Sequence, residues 1–119
     1  MKMFNVVVAG GEEFNNYELL SERLDLLLSK RTEYVVIVTT FENGVASEAA
    51  RYGRNNSIVV ANIPAHYEEH GNKADIMRNY EMINLADAVV CFSNGKSEIT
   101  NHLIASAKEY ATPIRVINY

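Results

Sequence analysis

Near its start the chain reads FNVVVAGG (residues 4–11), and a second run, AVVCF (residues 88–92), is equally apolar. Neither run alternates apolar with polar residues. A strand whose two faces are both buried has this pattern, which is typical of a parallel sheet covered by helices on each side. The two runs therefore predict the centre of an α/β sandwich.

Three further β-rich runs and four helical segments fit the same plan. The β-rich runs are Tyr34–Thr39, Ile58–Ala61 and Ile114–Ile117, and the helical segments cover about 15–30, 45–54, 73–85 and 97–110. Asn15, three residues before Glu18, is the predicted cap of the first helix. Strict alternation of strands and helices predicts one domain, residues 1–119, with a Rossmann-like three-layer α/β sandwich. We expect about five parallel strands in the order 3-2-1-4-5, with four helices.

Composition narrows the class of protein. The 119 residues carry a net charge of −4, which disfavours a nucleic-acid partner. Cys91 is the single cysteine, so an internal disulfide is excluded and a reducing compartment fits. No apolar run approaches the ~20 residues of a membrane helix. We therefore predict a cytoplasmic protein without membrane contact. Apolar helix faces suggest a homodimer or higher homo-oligomer, and frequent asparagine suggests a bacterial or phage genome rich in AT.

The turns that follow the first, second and fourth strands are rich in Gly, Ser, Thr and Asn. Such turns meet at the carboxyl edge of a parallel sheet, where ligands bind, and helix N-termini there favour anions. A phosphate-bearing small molecule is the expected ligand. The candidate binding residues in these turns are Gly10, Gly11, Glu12, Thr39, Asn43, Gly44, Gly95, Lys96 and Ser97.

The polar loop 64–74 and the helix after it supply further candidates. His66 and His70 match an HxxEH spacing, but Pro64 and Gly71 bracket them and a third ligand is not evident, so no metal and no other cofactor is predicted. Arg78, early in the third helix, could hold a phosphate through both arms of its guanidinium group. Cys91 is predicted to be a packed core thiol. His102 has no evident partner.

Several motifs together resemble a known family. The stretch 67–82 (YEEHGNKADIMRNYEM) is similar to the signature W-x-x-Y-G-x-x-A-x-x-x-R-N-x-x-M, GVASEAARY (residues 44–52) to G-A-D-x-x-A-x-x-Y, and ADAVVCF (residues 86–92) to A-D-x-x-x-x-F. These motifs mark the YspA-like, YpsA-related branch of the SLOG superfamily. The superfamily as a whole also includes the lonely-guy phosphoribohydrolases and the DNA-processing protein DprA. The resemblance extends over nearly the whole chain. It implies a Rossmann-like domain that binds nucleotide-derived ligands. It also implies that Arg78, Asn79 and Gly95, which match the family motif, belong to the ligand-binding site.

The chain also departs from the family pattern. Glu12 stands where the family often has Arg, and Ala46 where it has Asp. The glycine-rich turn reads NGKSE (residues 94–98), and the catalytic Glu of the phosphoribohydrolases has no clear equivalent, Glu81 and Glu98 being the nearest. The resemblance therefore does not imply that this chain catalyses the phosphoribohydrolase reaction.

Three functions remain open. The first is a sensor-like or sequestering domain for a nucleotide-derived ligand such as ADP-ribose, an NAD derivative or a cyclic nucleotide. The second is an enzyme that cleaves the N-glycosidic bond of a nucleoside 5′-monophosphate, with Arg78 and Lys96 on the phosphate and Glu81 or Glu98 as the catalytic carboxylate. The third is a nucleic-acid or protein interaction module. We favour the first.

Overall fold

The computed structural model describes residues 2–119, which are arranged around a parallel sheet. Its strands are β1 (Met3–Gly10), β2 (Tyr34–Thr39), β3 (Val59–Asn62), β4 (Ala88–Ser93) and β5 (Ile114–Asn118). They lie in the order β3-β2-β1-β4-β5, and each neighbouring pair is parallel. The predicted Rossmann-like α/β fold and strand order are confirmed.

The helices are α1 (Tyr17–Leu28), α2 (Val45–Asn55), α3 (Tyr67–His70), α4 (Ala74–Leu85) and α5 (Glu98–Glu109), and a 3-10 turn (Gly71–Lys73) joins α3 to α4. The four longer helices are the predicted ones. The short α3 and the 3-10 turn correct the prediction of a loop over 64–74, because one helical turn is too short to show an apolar period. Across residues 2–119, none of the helices combines the length and hydropathy that a bilayer crossing requires.

Two apolar layers hold the helices against the sheet. Alternate residues of β1 point to opposite layers: Val6 and Val8 pack with α1 and α2, whereas Val7 and Ala9 pack with α4 and α5. Each fully buried aliphatic side chain contributes about 1.5–3 kcal/mol. Burial on both faces is the reason that the strand sequences do not alternate.

The thiol of Cys91 belongs to the layer formed with α4 and α5. It is fully buried, which confirms the predicted core thiol, and burial raises its pKa to about 12. A thiol with so high a pKa is not a nucleophile at neutral pH, because the thiolate is the reactive form.

Helix α1 begins one residue later than the sequence predicts. The side chain of Asn16 accepts a hydrogen bond from the Leu19 backbone N–H at 3.0 Å, so Asn16 is the cap and the prediction of Asn15 was wrong. Before the helix starts, Phe14 turns into the core and packs against Phe92, with ring centroids 5.2 Å apart.

Candidate ligand-binding site

Two adjoining cavities lie at the carboxyl edge of the sheet, between the ends of β1, β2 and β4 and the starts of α4 and α5. The larger, which we call the edge cleft, has a volume of about 220 Å³. It is lined by Gly10, Glu12, Glu13, Glu42, Tyr67, Asp75, Arg78, Ser97, Ile99 and Thr100. The smaller, the inner cavity, has a volume of about 30 Å³ and shares five of these residues: Gly10, Glu42, Arg78, Ile99 and Thr100. The order of the strands reverses between β1 and β4, so the site lies at the topological switch point.

Two glycines allow the turns around the edge cleft to approach one another. A β-carbon on Gly10 would lie 2.1 Å from the carbonyl oxygen of Phe92, so only glycine fits where β1 ends beside β4. Gly44 has a φ of +76°, and a β-carbon there would lie 2.2 Å from the carbonyl oxygen of Gly11. The same carbonyl accepts a hydrogen bond from the Val45 N–H at 3.2 Å. These contacts fix the start of α2 against the turn after β1.

Arg78 is the central charged group of the site. Its side chain is only 5% exposed, and its two terminal nitrogens donate to the two carboxylate oxygens of Glu42 at 2.6 and 2.9 Å. One of them also donates to Asp75 at 3.3 Å. Within residues 2–119, the Nε atom of Arg78 is buried and has no hydrogen-bond partner. The bidentate geometry expected for a phosphate is thus present, but a carboxylate of the protein occupies it.

Tyr67 extends this network at the outer wall of the edge cleft. Its hydroxyl donates to Asp75 at 2.8 Å, and this hydrogen bond is the main reason that the pKa of the Tyr67 phenol is raised. Because Asp75 also accepts from Arg78, the short helix α3 is connected to α4 and, through Arg78, to the turn after β2.

Glu13 joins three distant segments of the chain at the opposite wall. Its carboxylate accepts hydrogen bonds from the Tyr119 hydroxyl at 2.6 Å and from the Asn94 side chain at 3.0 Å. The pKa of Glu13 is lowered, chiefly by the hydrogen bond from Tyr119, with smaller contributions from Asn94 and Lys96. The pKa of Tyr119 is raised by its desolvation and by the same hydrogen bond.

The turn after β4 is organised by its own side chains. The Ser93 hydroxyl accepts from the Gly95 N–H, and the Asn94 side chain accepts from the Lys96 N–H, each at 3.0 Å. Ser97 caps α5 by accepting from the Thr100 N–H at 3.2 Å. The Ser, Asn and Gly residues of this turn therefore have structural roles, and among them Ser97 also lines the edge cleft.

Asn79 connects the two helices behind the inner cavity. Its amide nitrogen donates to the Ile99 carbonyl at 3.0 Å and lies 3.1 Å from the Nδ1 atom of His102. The His102 ring also packs edge-on against Tyr80, with centroids 5.2 Å apart. The expectation that His102 has no partner was therefore wrong: its partner is on α4, too far away in sequence for a local pattern to reveal it.

The predicted binding residues divide into two groups. Those that line one or both cavities are Gly10, Glu12, Asn43, Arg78, Asn79 and Ser97. Those that do not are Gly11, Thr39, Gly44, Gly95 and Lys96, within the part of the chain that the structure describes. Thr39 is fully buried and donates its hydroxyl to the Val8 carbonyl at 2.6 Å, so it connects β2 to β1 instead.

The two candidate catalytic carboxylates lie apart from the cavities. Glu81 and Glu98 are exposed, and neither is among the cavity-lining residues of the described chain. The acidic residues that do face the edge cleft, apart from Glu12, are Glu13, Glu42 and Asp75, which the sequence analysis did not select. Signals for two of them existed: Glu42 lies in the turn after β2, and Asp75 precedes Arg78 by three residues, the spacing of a helical ion pair.

The edge cleft carries a negative charge. Within residues 2–119 its lining holds four carboxylates and one guanidinium group. Even so, the described residues contain no group of three His, Cys, Asp or Glu side chains that could hold a metal ion. The chemistry of the cleft is therefore that of hydrogen-bond acceptors around one buried cation.

The first part of the chain matches a known protein family. A sequence model of the "YspA, cpYpsA-related SLOG family" matches residues 4–70. The chain belongs to this family. No curated protein and no solved structure matches the chain. The resemblance to the YspA-like, YpsA-related branch is confirmed, and fold and family together indicate a Rossmann-like, nucleotide-related domain.

The match covers part of the candidate site. Residues 4–70 of this SLOG-family chain include all but the first residue of β1, the turn with Glu12 and Glu13, the turn with Glu42, and α3. The segment 71–119, with Arg78, Asn79 and the turn after β4, lies beyond the match, so the resemblance there stays a prediction.

Proposed function

We propose that this SLOG-family domain binds a small nucleotide-derived ligand in the edge cleft, in a sensor-like or sequestering role. The observation that carries the proposal is the position of the cleft at the switch point of the sheet, where open α/β folds bind their ligands. Turns from three strands converge there, and their polar side chains and backbone groups surround a common space.

The dimensions of the cleft support a ligand that is only partly enclosed. Its volume of about 220 Å³ is below the ~300–1,000 Å³ of pockets that enclose drug-sized ligands. One part of a nucleotide fits inside, and the remainder would lie along the open turn at Gly95 and Lys96, both of which are exposed.

We propose binding rather than catalysis because the two carboxylates predicted to hydrolyse an N-glycosidic bond lie outside the cleft. Glu81 and Glu98 do not line the cleft, and the carboxylate of Glu42 is held by Arg78 at 2.6 and 2.9 Å. A general base must be free to bind the attacking water, and both oxygens of the Glu42 carboxylate already accept hydrogen bonds from Arg78.

The test is a thermal-shift screen with AMP, cyclic nucleotides, ADP-ribose and NAD, followed by amide NMR spectra of any compound that stabilises the protein. A ligand specific for the folded state adds about 2.7 kcal/mol at a hundredfold excess over its Kd. Glu12→Trp fills the mouth of the cleft at an exposed position and should abolish the shift. Glu22→Trp, an equally exposed change on α1, should leave it intact.

The outcomes are distinct. Stabilisation with amide shifts around Gly10, Ser97 and Thr100 would support the proposal. Release of free base from a nucleotide would show that the protein is a hydrolase instead. If none of the compounds stabilises the protein, the proposal is refuted. A cytoplasmic location and self-association stay predictions, and analytical ultracentrifugation would test the second.

A further inference from the structure

Tyr67 presents an exposed aromatic ring at the outer wall of the edge cleft. The residue lines the cleft and is 56% exposed. The phenol hydroxyl is a small part of a tyrosine surface and is already bonded to Asp75 at 2.8 Å, so much of the exposed area is apolar. An exposed ring favours contact with another flat or apolar group, because such a contact removes its surface from water.

The ring of Tyr67 has no stacking partner within residues 2–119. Most aromatic side chains there lie against another ring or beneath an arginine: Phe4, Phe14, Tyr17, Tyr80, Phe92, Tyr110 and Tyr119. Of the rest, Tyr52 is buried, whereas Tyr34 and Phe41 are exposed but line neither the edge cleft nor the inner cavity. In the described chain, Tyr67 is therefore the one unpaired ring that lines the candidate site.

The hydroxyl of Tyr67 holds this ring in one orientation. It donates to Asp75, which also accepts from Arg78, and both arms of Arg78 are held by Glu42. Arg78 is 5% exposed, so the series of hydrogen bonds ends in a buried, well-fixed group. A ring that is already oriented loses little conformational freedom when a ligand covers it, and this lowers the cost of binding.

We propose that Tyr67 is a specificity-determining residue of the edge cleft and that a planar heteroaromatic ring of the ligand stacks on it. This inference rests on the proposed function and specifies it, because the ring is then the base of the nucleotide: a purine, a pyrimidine or nicotinamide. Stacking of one base on an aromatic side chain changes the affinity by about fivefold or more. A phosphate group has no flat π face, and covering the ring would remove it from water without a hydrogen bond.

Isothermal titration calorimetry with two variants of position 67 tests the stacking. The probes are AMP, GMP, UMP and nicotinamide mononucleotide, and the probe that wild type binds most tightly is used with the variants. Tyr67→Phe loses the hydrogen bond to Asp75 but keeps a ring, whereas Tyr67→Leu loses both. Tyr67→Leu should therefore bind the probe at least about fivefold more weakly than its matched control Tyr67→Phe. The identity of the best probe distinguishes a purine or pyrimidine from nicotinamide.

A second measurement detects the stacked base directly. The chain contains no tryptophan, so Tyr67→Trp introduces a single indole group at the cleft. Its fluorescence should fall as the probe saturates the site, because a base stacked on indole quenches its emission. Tyr34→Trp is the matched control: Tyr34 is 46% exposed and begins β2, at the edge of the sheet opposite the cleft. The emission of this control should not change.

Two results would overturn the inference. The first is a folded Tyr67→Leu variant that binds the probe less than fivefold more weakly than Tyr67→Phe. The second is unchanged emission of Tyr67→Trp at saturation, which also decides the matter if Tyr67→Leu does not fold. In both cases, binding of the probe by wild type leaves the proposed function standing. If wild type binds none of the four probes, the inference is refuted, and the proposed function is refuted with it only when the thermal-shift screen also gives no response.

Discussion

The ion pair between Arg78 and Glu42 should be a large single electrostatic contribution to stability. Removing one partner of a buried pair typically costs about 3–5 kcal/mol, because a charge is left buried and unpaired. Arg78 is 5% exposed but Glu42 is 30% exposed, so water can replace part of the lost contact. Glutamine also keeps one accepting oxygen. We therefore expect Glu42→Gln to lower the free energy of unfolding by about 2 kcal/mol, a large share of the ~5–15 kcal/mol of a typical domain.

Urea denaturation followed by circular dichroism measures this loss. The matched control is Glu48→Gln, since Glu48 pairs at 3.7 Å with Arg51, whose side chain is 52% exposed, and an ion pair with so exposed a partner contributes about 0–1 kcal/mol. A double-mutant cycle with Arg78→Met should give a coupling energy of about 1–3 kcal/mol between positions 42 and 78. If Glu42→Gln costs no more than Glu48→Gln, or the coupling energy is zero, the ion pair between Arg78 and Glu42 does not stabilise the fold as predicted.

Three further predictions concern other contacts. Gly44→Ala should destabilise the fold by at least 2 kcal/mol more than Gly95→Ala, measured by the same denaturation: both glycines have positive φ, but only a β-carbon at Gly44 meets backbone atoms. Tyr119→Phe should raise the pKa of Glu13 towards its ordinary value, as an NMR titration would show. Because the pKa of Glu13 is lower in the folded state than in the unfolded state, the stability that this carboxylate adds is fully present above the unfolded-state pKa. That stability is lost as the pH falls through the folded-state pKa. Cys91 should react with a thiol reagent at pH 8 only after unfolding, and rapid labelling of the native protein would contradict its burial.

The strands could be predicted because burial on both faces leaves a direct mark on the sequence. The runs 4–9 and 88–92 lie within the central strands, and the predicted ends differ from the observed ones by at most one residue. The cap of α1 shows the limit of local reasoning. Asn15 and Asn16 are chemically identical, so the local sequence does not distinguish them, and only the structure shows that Asn16 accepts the capping hydrogen bond.

The site was less accessible from the sequence because its chemistry depends on pairs of residues. Arg78 was identified, but its main partner is 36 residues away, and only the fold brings Glu42 to it. An isolated arginine in a sequence suggests a free cation, whereas in the folded domain its charge is already balanced. Glu12 was predicted as a binding residue because it lies in a turn. Only the fold shows that Glu13, Glu42 and Asp75 line the same cleft.

The pairing of Arg78 with Glu42 has an evolutionary consequence. Glu42 lies in the segment that the family shares, and Arg78 lies eight residues beyond its end. Loss of Glu42 alone would leave the buried guanidinium group of Arg78 with Asp75 as its remaining ion-pair partner, and loss of Arg78 alone would leave two neighbouring carboxylates without their cation, so either single change should cost stability. Relatives should therefore fall into two groups, those that keep both residues and those that have replaced both, and the residue at position 42 should predict the residue at position 78.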